Sequence, residues 1–192
     1  MSKAVDRETV KQFNPSLCNA LLLSLSLVVN KTIDKAMSNA YSKLQSPALP
    51  ATGTESGQLS LSDLHGHAVV VYFYPRDNTP GCTRQGEGFR DHHEDFARHG
   101  CRIVGVSRDS LASHEKFAAK YEFPFPLIAD ADETLCRQFD VIKEKNMYGK
   151  KVMGIERSTF LFDKKGQMVR EWRKVKVPGH VEEVLEAVSQ LD

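Results

Sequence analysis

A chain of 192 residues with 41% apolar content is long enough for one ordinary domain with a buried core plus a modest extension, and is no disulfide-stapled miniature. A formal net charge of +1 and a pI near 7.7 give neither a basic stripe for nucleic acid nor an acidic tail, so a small substrate is expected rather than a polyionic partner. Cys18, Cys82, Cys101 and Cys136 form no CxxC pair and no metal-ligand spacing, which excludes a zinc motif and a dithiol motif and suits individually used thiols in a reducing compartment.

Residues 1–46 differ in character from the rest and are set apart as an N-terminal extension, with the folded domain expected over 47–192. The apolar segment 17–29 is too short, at 13 residues, to span a bilayer. It suits the apolar region of a signal peptide, with Ser38-Asn39-Ala40 as a small-residue cleavage site, although Asp6 and Glu8 oppose that reading. Its rival is an amphipathic arm, since Leu22, Leu25, Val29, Ile33, Met37, Tyr41 and Leu44 recur at three- and four-residue intervals. An artefact of gene assignment is the third. A cytoplasmic protein is expected, or an exported one if residues 1–40 act as a signal peptide.

Residues 68–74, Ala-Val-Val-Val-Tyr-Phe-Tyr, read as a buried strand, followed by a helix from about Thr83 to His99 with Phe89, His92, His93 and Phe96 on one face and Gly100 ending it. Residues 101–106 read as a second buried strand, and Asp109 or Ser110 caps a helix carrying Leu111, His114, Phe117, Ala118 and Tyr121. A short extended piece over 124–128 and a short helix over 133–139 come next. Residues 158–162 and 167–172 form a hairpin through Asp163-Lys164-Lys165-Gly166, and a last helix covers about 180–191. This alternation implies an α/β protein with a mixed central sheet of about five strands and helices on both faces, a thioredoxin-like fold.

Cys82 closes Pro75-Arg76-Asp77-Asn78-Thr79-Pro80-Gly81-Cys82, directly after the first strand. Strand, Pro/Gly-punctuated turn and helix put the thiol at a helix N-terminus, where unpaired backbone N–H groups and the helix dipole favour a thiolate nucleophile. An ordinary thiol of pKa about 8.5 is about 3% ionised at pH 7. Lowering that value to about 6 raises the thiolate roughly 30-fold but forfeits roughly tenfold in nucleophilicity. Ionisation alone is therefore a small gain, and groups acting on the bond being broken are needed.

His65-Gly66-His67 and His92-His93 lack a Cys or carboxylate at ligand spacing, so no metal is expected. His92 and His93 also lie about three helical turns, near 15 Å, from Cys82, which counts against a Cys-His hydrolase. Gly86 and Gly88 admit two readings, an easily unwound turn beside Cys82 or close packing of the helix on the sheet.

Pro75, Thr79 and Cys82 in the pattern P-x-x-x-T-x-x-C, with the aromatic strand before them and Gly154-Ile155-Glu156-Arg157-Ser158-Thr159-Phe160 downstream, resemble peroxiredoxins of the bacterioferritin comigratory protein, or peroxiredoxin Q, type over roughly residues 47–192. The resemblance implies that Cys82 is the peroxidatic cysteine and becomes a sulfenic acid. It implies that Thr79 hydrogen-bonds the peroxide, that Arg157 lies beside the thiolate, that Pro75 shields the site and that the N–H groups of Gly81 and Cys82 complete the pocket. It also implies reduction of hydrogen peroxide and organic hydroperoxides without metal or organic cofactor, in a monomer or weak dimer.

Relatives carry a resolving cysteine either five residues after the peroxidatic one, here Glu87, or about 36 residues on, here Ala118. Cys101 and Cys136 read as buried core residues, and Cys18 lies in the unmatched extension. These three are the remaining internal candidates for that role. A one-cysteine cycle with glutathione, glutaredoxin or thioredoxin as reductant is therefore expected, the alternative being a peroxide sensor that forms mixed disulfides with a client protein.

Overall fold

The computed structural model describes residues 41–147 and 150–191; the expected arm or signal segment and Cys18 lie outside them. β1 (Leu49–Pro50) and β2 (Gln58–Leu59) form a small antiparallel ribbon, followed by a 3-10 turn over Leu61–Leu64. Ser60 and Asp63 close that turn in a reciprocal capping box. β3 (Ala68–Phe73) is buried throughout, as its unbroken apolar run requires. α1 (Pro80–Asp91), α2 (His93–Arg98), β4 (Cys101–Ser107), α3 (Leu111–Tyr121), β5 (Leu127–Ala129) and α4 (Thr134–Gln138) follow. β6 (Ile142–Met147) pairs antiparallel with β7 (Lys150–Ile155), β8 (Ser158–Phe162) with β9 (Met168–Trp172), and α5 (His180–Ser189) is the last element.

The main sheet has the order β5-β4-β3-β8-β9, with β3, β4 and β5 parallel and β8 and β9 antiparallel to their neighbours. The two-residue period of β3 sorts the core into two clusters. Val69, Val71 and Phe73 pack with Leu44, Leu61, Leu135, Cys136 and Phe139 on one face. Val70, Tyr72 and Tyr74 pack with Cys82, Phe89, Phe96, Phe117 and Val184 on the other. α1, α2, α3 and α5 therefore cover one face, and α4 with the 3-10 turn covers the opposite one. The mixed sheet and thioredoxin-like class match the sequence expectation.

Several local expectations change. The helix after β3 begins at Pro80 rather than near Thr83, because proline at the first helical position gives up no intrahelical bond. It is also two helices: His92 (φ −98°, ψ 7°) leaves helical geometry, and its ring faces Asp95 at 3.2 Å. Phe89 and Phe96 are buried as expected, whereas His92 and His93 are only half-buried.

Packing also begins before the boundary at Ser46. Leu44 is fully buried, its N–H donates to the Gly166 carbonyl at 2.8 Å, and Lys43 bridges Gln167. The β6–β7 pair has no counterpart in the sequence reading, because Ile-Lys-Glu-Lys-Asn-Met offers no alternating apolar face.

Candidate active site

The site is built where β3 ends. Tyr74 is followed by the turn 75–79, in which Asn78 adopts left-handed geometry (φ 55°) and Thr79 the extended geometry of a helix N-cap. Pro80 then starts α1, and Cys82 falls in its first turn, where backbone N–H groups have no intrahelical acceptor. Cys82 is 2% exposed.

Arg157 reaches this turn from the β7–β8 connection. Its Nη2 donates to Cys82 Sγ at 3.2 Å and its Nη1 to Gln85 Oε1 at 2.5 Å, so the guanidinium spans one turn of α1. The backbone around it is tied on both sides. Glu156 N–H donates to the Val141 carbonyl at 2.7 Å, and Val175 N–H to the Arg157 carbonyl at 2.9 Å. A Cβ on Gly81 would lie 3.3 Å from Arg157 Nη2, so the missing side chain leaves room for the cation.

Thr79 Oγ1 donates to the Arg76 carbonyl at 3.0 Å, which commits its proton and leaves its lone pairs to accept. Pro75 is half-buried at the rim of the same turn. Lys145 on β6 adds a second positive charge: its Nζ donates to the Ile155 carbonyl, two residues before Arg157. Burial, and then the charge of Arg157, hold the Lys145 ammonium below the usual lysine range.

Sequence reasoning named Cys82, Thr79, Gly81, Pro75 and Arg157 as site residues, and the fold places them together around the start of α1. It missed Gln85 and Lys145, and it treated His114 as one more residue on an apolar helix face. Gln85, three residues after Cys82 and fully buried, carried one available signal, a polar side chain on the helix face that bears the thiol.

The other described cysteines lie elsewhere. Cys101 pairs in register with Ala68 at the start of β3, whereas Cys82 follows its end; five residues of strand put them about 17 Å apart along the sheet. Cys136 belongs to the core cluster on the opposite face of the sheet from Cys82. Burial pushes the Cys101 thiol up to about 12, and burial together with the Asp130 carboxylate pushes Cys136 well above the ordinary thiol range. Glu87 on α1 and Ala118 on α3 occupy the positions where a resolving thiol was sought. Among the described residues no group of three His, Cys, Asp or Glu side chains could hold a metal ion, and no helix is long and apolar enough to cross a membrane.

Residues 43–171 match the AhpC/TSA family. Peroxiredoxin Bcp of Xanthomonas campestris is 56% identical over 141 residues, spanning 73% of this chain and 88% of that protein. Peroxiredoxin Bcp of Bacillus subtilis is 48% identical over 147 residues, spanning 77% of this chain and 94% of that protein. Among solved structures, Xanthomonas campestris peroxiredoxin Q superposes with a TM-score of 0.70 at 55% identity, covering 74% of this chain and 89% of its own. A trapped intermediate and ligand complex of Xanthomonas campestris bacterioferritin comigratory protein, solved to explain that protein's alkyl peroxide reduction, gives the same TM-score at 54% identity over the same shares. With these likenesses spanning the turn, the thiol and the arginine, the chain belongs to the AhpC/TSA family, among the peroxiredoxins of the Bcp and peroxiredoxin Q type.

Proposed function

We propose that this thiol-dependent peroxidase works through Cys82, whose thiolate attacks the terminal oxygen of a hydroperoxide. The S–O bond forms as the O–O bond breaks, and the departing hydroxide or alkoxide takes up a proton, leaving a sulfenic acid on Cys82. The observation that carries the reading is the Arg157 guanidinium 3.2 Å from Cys82 Sγ and anchored by Gln85. Held there, the cation faces both the attacking sulfur and the charge that develops on the leaving oxygen. Thr79, with its own proton committed to Arg76, accepts a hydrogen bond from the peroxide O–H and so orients the oxygen to be attacked.

The sulfenic acid is then reduced by an outside thiol, of which glutathione, glutaredoxin and thioredoxin are the candidates. The positions of Cys101 and Cys136, one at the far end of the sheet and one on its other face, support a one-cysteine cycle. Intact-mass analysis after one equivalent of hydrogen peroxide tests both steps. One added oxygen on Cys82, exchanged for a glutathione adduct when that thiol is supplied, is the expected result. A two-dalton loss from an internal disulfide, to Cys18 for example, would overturn the one-cysteine cycle. Consumption of a single equivalent followed by a lasting adduct with another protein would mark the chain as a sensor instead.

A further inference from the structure

Within the turn 75–79 a single residue points into the protein. Arg76 and Asn78 are exposed, Pro75 and Thr79 half-buried, and Asp77 only 7% exposed. The Asp77 carboxylate is ringed by donors from the end of β3 and from α3. Tyr74 Oη donates to Oδ1 at 2.8 Å, Ser113 Oγ donates to Oδ2 at 2.7 Å, and His114 Nδ1 lies 2.9 Å from Oδ2. The Asp77 backbone N–H donates to Asp109 Oδ2 at 2.8 Å, which also accepts from Ser107 Oγ. Both the main chain and the side chain of Asp77 are therefore tied down.

His114 is fully buried and is held through both ring nitrogens. Its Nε2 faces the Ile128 carbonyl of β5 at 3.1 Å while its Nδ1 faces Asp77. The Tyr74 hydroxyl also lies 3.4 Å from Nδ1, so the ring is gripped at both nitrogens by β5 and by the turn. The Asp77–His114 pair is thus a buried hydrogen-bonded pair with the remaining carboxylate acceptors filled by Tyr74 and Ser113, an arrangement that holds one geometry.

We propose that Asp77 and His114 are positioning residues for the peroxide reaction: their buried hydrogen-bonded pair anchors the inward residue of the turn and so holds Thr79 and the start of α1 in the geometry that presents peroxide to Cys82. Neither residue contacts the sulfur. Their effect runs through Asn78, whose left-handed backbone links the anchored Asp77 to Thr79. This inference rests on the assignment of Cys82 as the attacking thiol.

Two reactions of the same sulfur separate positioning from general damage. Peroxide needs the turn to orient it, whereas alkylation by iodoacetamide needs only the thiol. In Asp77→Asn the amide keeps the shape but cannot receive all three donors, and the rate of Cys82 oxidation by hydrogen peroxide is expected to fall by about 10- to 100-fold, the scale of an ångström-level misplacement. The alkylation rate is expected to stay within about threefold. Equal losses in both reactions, or an unchanged peroxide rate, overturn the proposal. Ser113→Ala removes one donor to the same carboxylate and serves should Asp77→Asn not fold; a peroxide rate equal to that of the unaltered protein overturns the proposal there too. Failure of the Cys82 assignment itself would appear separately, as the absence of peroxide oxidation at Cys82 in the unaltered protein.

Discussion

Arg157 holds two residues of α1 one turn apart, the thiol of Cys82 and the amide of Gln85, with separate nitrogens of one planar group. A lysine could keep the charge but not the span. Arg157→Lys is therefore expected to slow peroxide oxidation of Cys82 by about 10²-fold and Arg157→Ala by about 10³-fold, the range for losing a donor at a developing oxyanion. Stopped-flow oxidation with a Cys82→Ser control measures both, and a fully active lysine variant would show that the span does not matter. The thiol and Thr79 were named from the spaced motif P-x-x-x-T-x-x-C, and Arg157 from the separate segment 154–160. Gln85 was not: its burial is set by a partner 72 residues away, and on the sequence alone it is one polar residue among several on a polar helix.

At the scale of elements, α1 is fixed by what its glycines admit. A Cβ on Gly86 would lie 2.5 Å from Phe123 Cζ, and one on Gly88 3.0 Å from Val181 Cγ2. The Phe123 ring is itself stacked between Tyr121 and Phe125, with centroids 6.0 and 5.3 Å away, and must shift to admit a Cβ on Gly86. Of the two readings of these glycines, close packing is the one the fold supports, although the partners are Phe123 and, on α5, Val181 rather than the sheet. Gly86→Ala is expected to lose about 1–2 kcal/mol, overpacking outweighing the gain in helix propensity. In a Phe123→Ala background the same change is expected to become neutral or stabilising, and thermal melts of the four proteins measure that coupling. Additive effects would show that the ring does not bear on Gly86. The long strands and their helices were legible because their apolar patterns are local. The β6–β7 pair was not, since its polar strands are held by cross-strand bonds from Ile142↔Ile155 to Met147↔Lys150 rather than by a buried face.

At the scale of the whole molecule, two buried titrating groups among the described residues, His180 and Asp77, contribute to its acid response. His180, 4% exposed and 2.8 Å from Thr159 Oγ1, is pushed by burial down to about 4. An unfolded histidine takes its proton near pH 6.5. Between there and pH 4 the unfolded chain therefore binds a proton that the folded one refuses, and stability falls with pH by about 2 kcal/mol at pH 5. Burial alone would push the Asp77 carboxyl up, but hydrogen bonds from His114, Ser113 and Tyr74, with the charge of His114, hold it below the usual aspartate range. Its contribution is complete above the ordinary aspartate value and is lost at still lower pH, as the folded carboxyl protonates. Urea unfolding followed through Trp172, the single tryptophan and an edge-on neighbour of His180, is expected to show the first loss between pH 7 and 5 and a flatter slope in His180→Gln. Equal stability at pH 7 and 5 would contradict it. Neither burial was legible from composition, because His114 and His180 acquire their surroundings only when α3 and α5 dock on the sheet.

The 2% exposure of Cys82 gives the two half-reactions unequal access to one sulfur. On the proposed one-cysteine cycle a hydroperoxide of a few atoms asks for less room at this sulfur than a protein thiol, which would need α1 to give way, and the Phe123 ring against Gly86 would oppose that one turn further along. With a protein reductant, return of electrons is then expected to be slower than arrival of peroxide. Under heavy peroxide flux the oxidised form would become the standing population, and the next peroxide would compete with the reductant for the same sulfenic acid, drawing the cycle toward irreversible sulfinic acid. The tightness proposed to organise the first reaction would thus set the ceiling on the second.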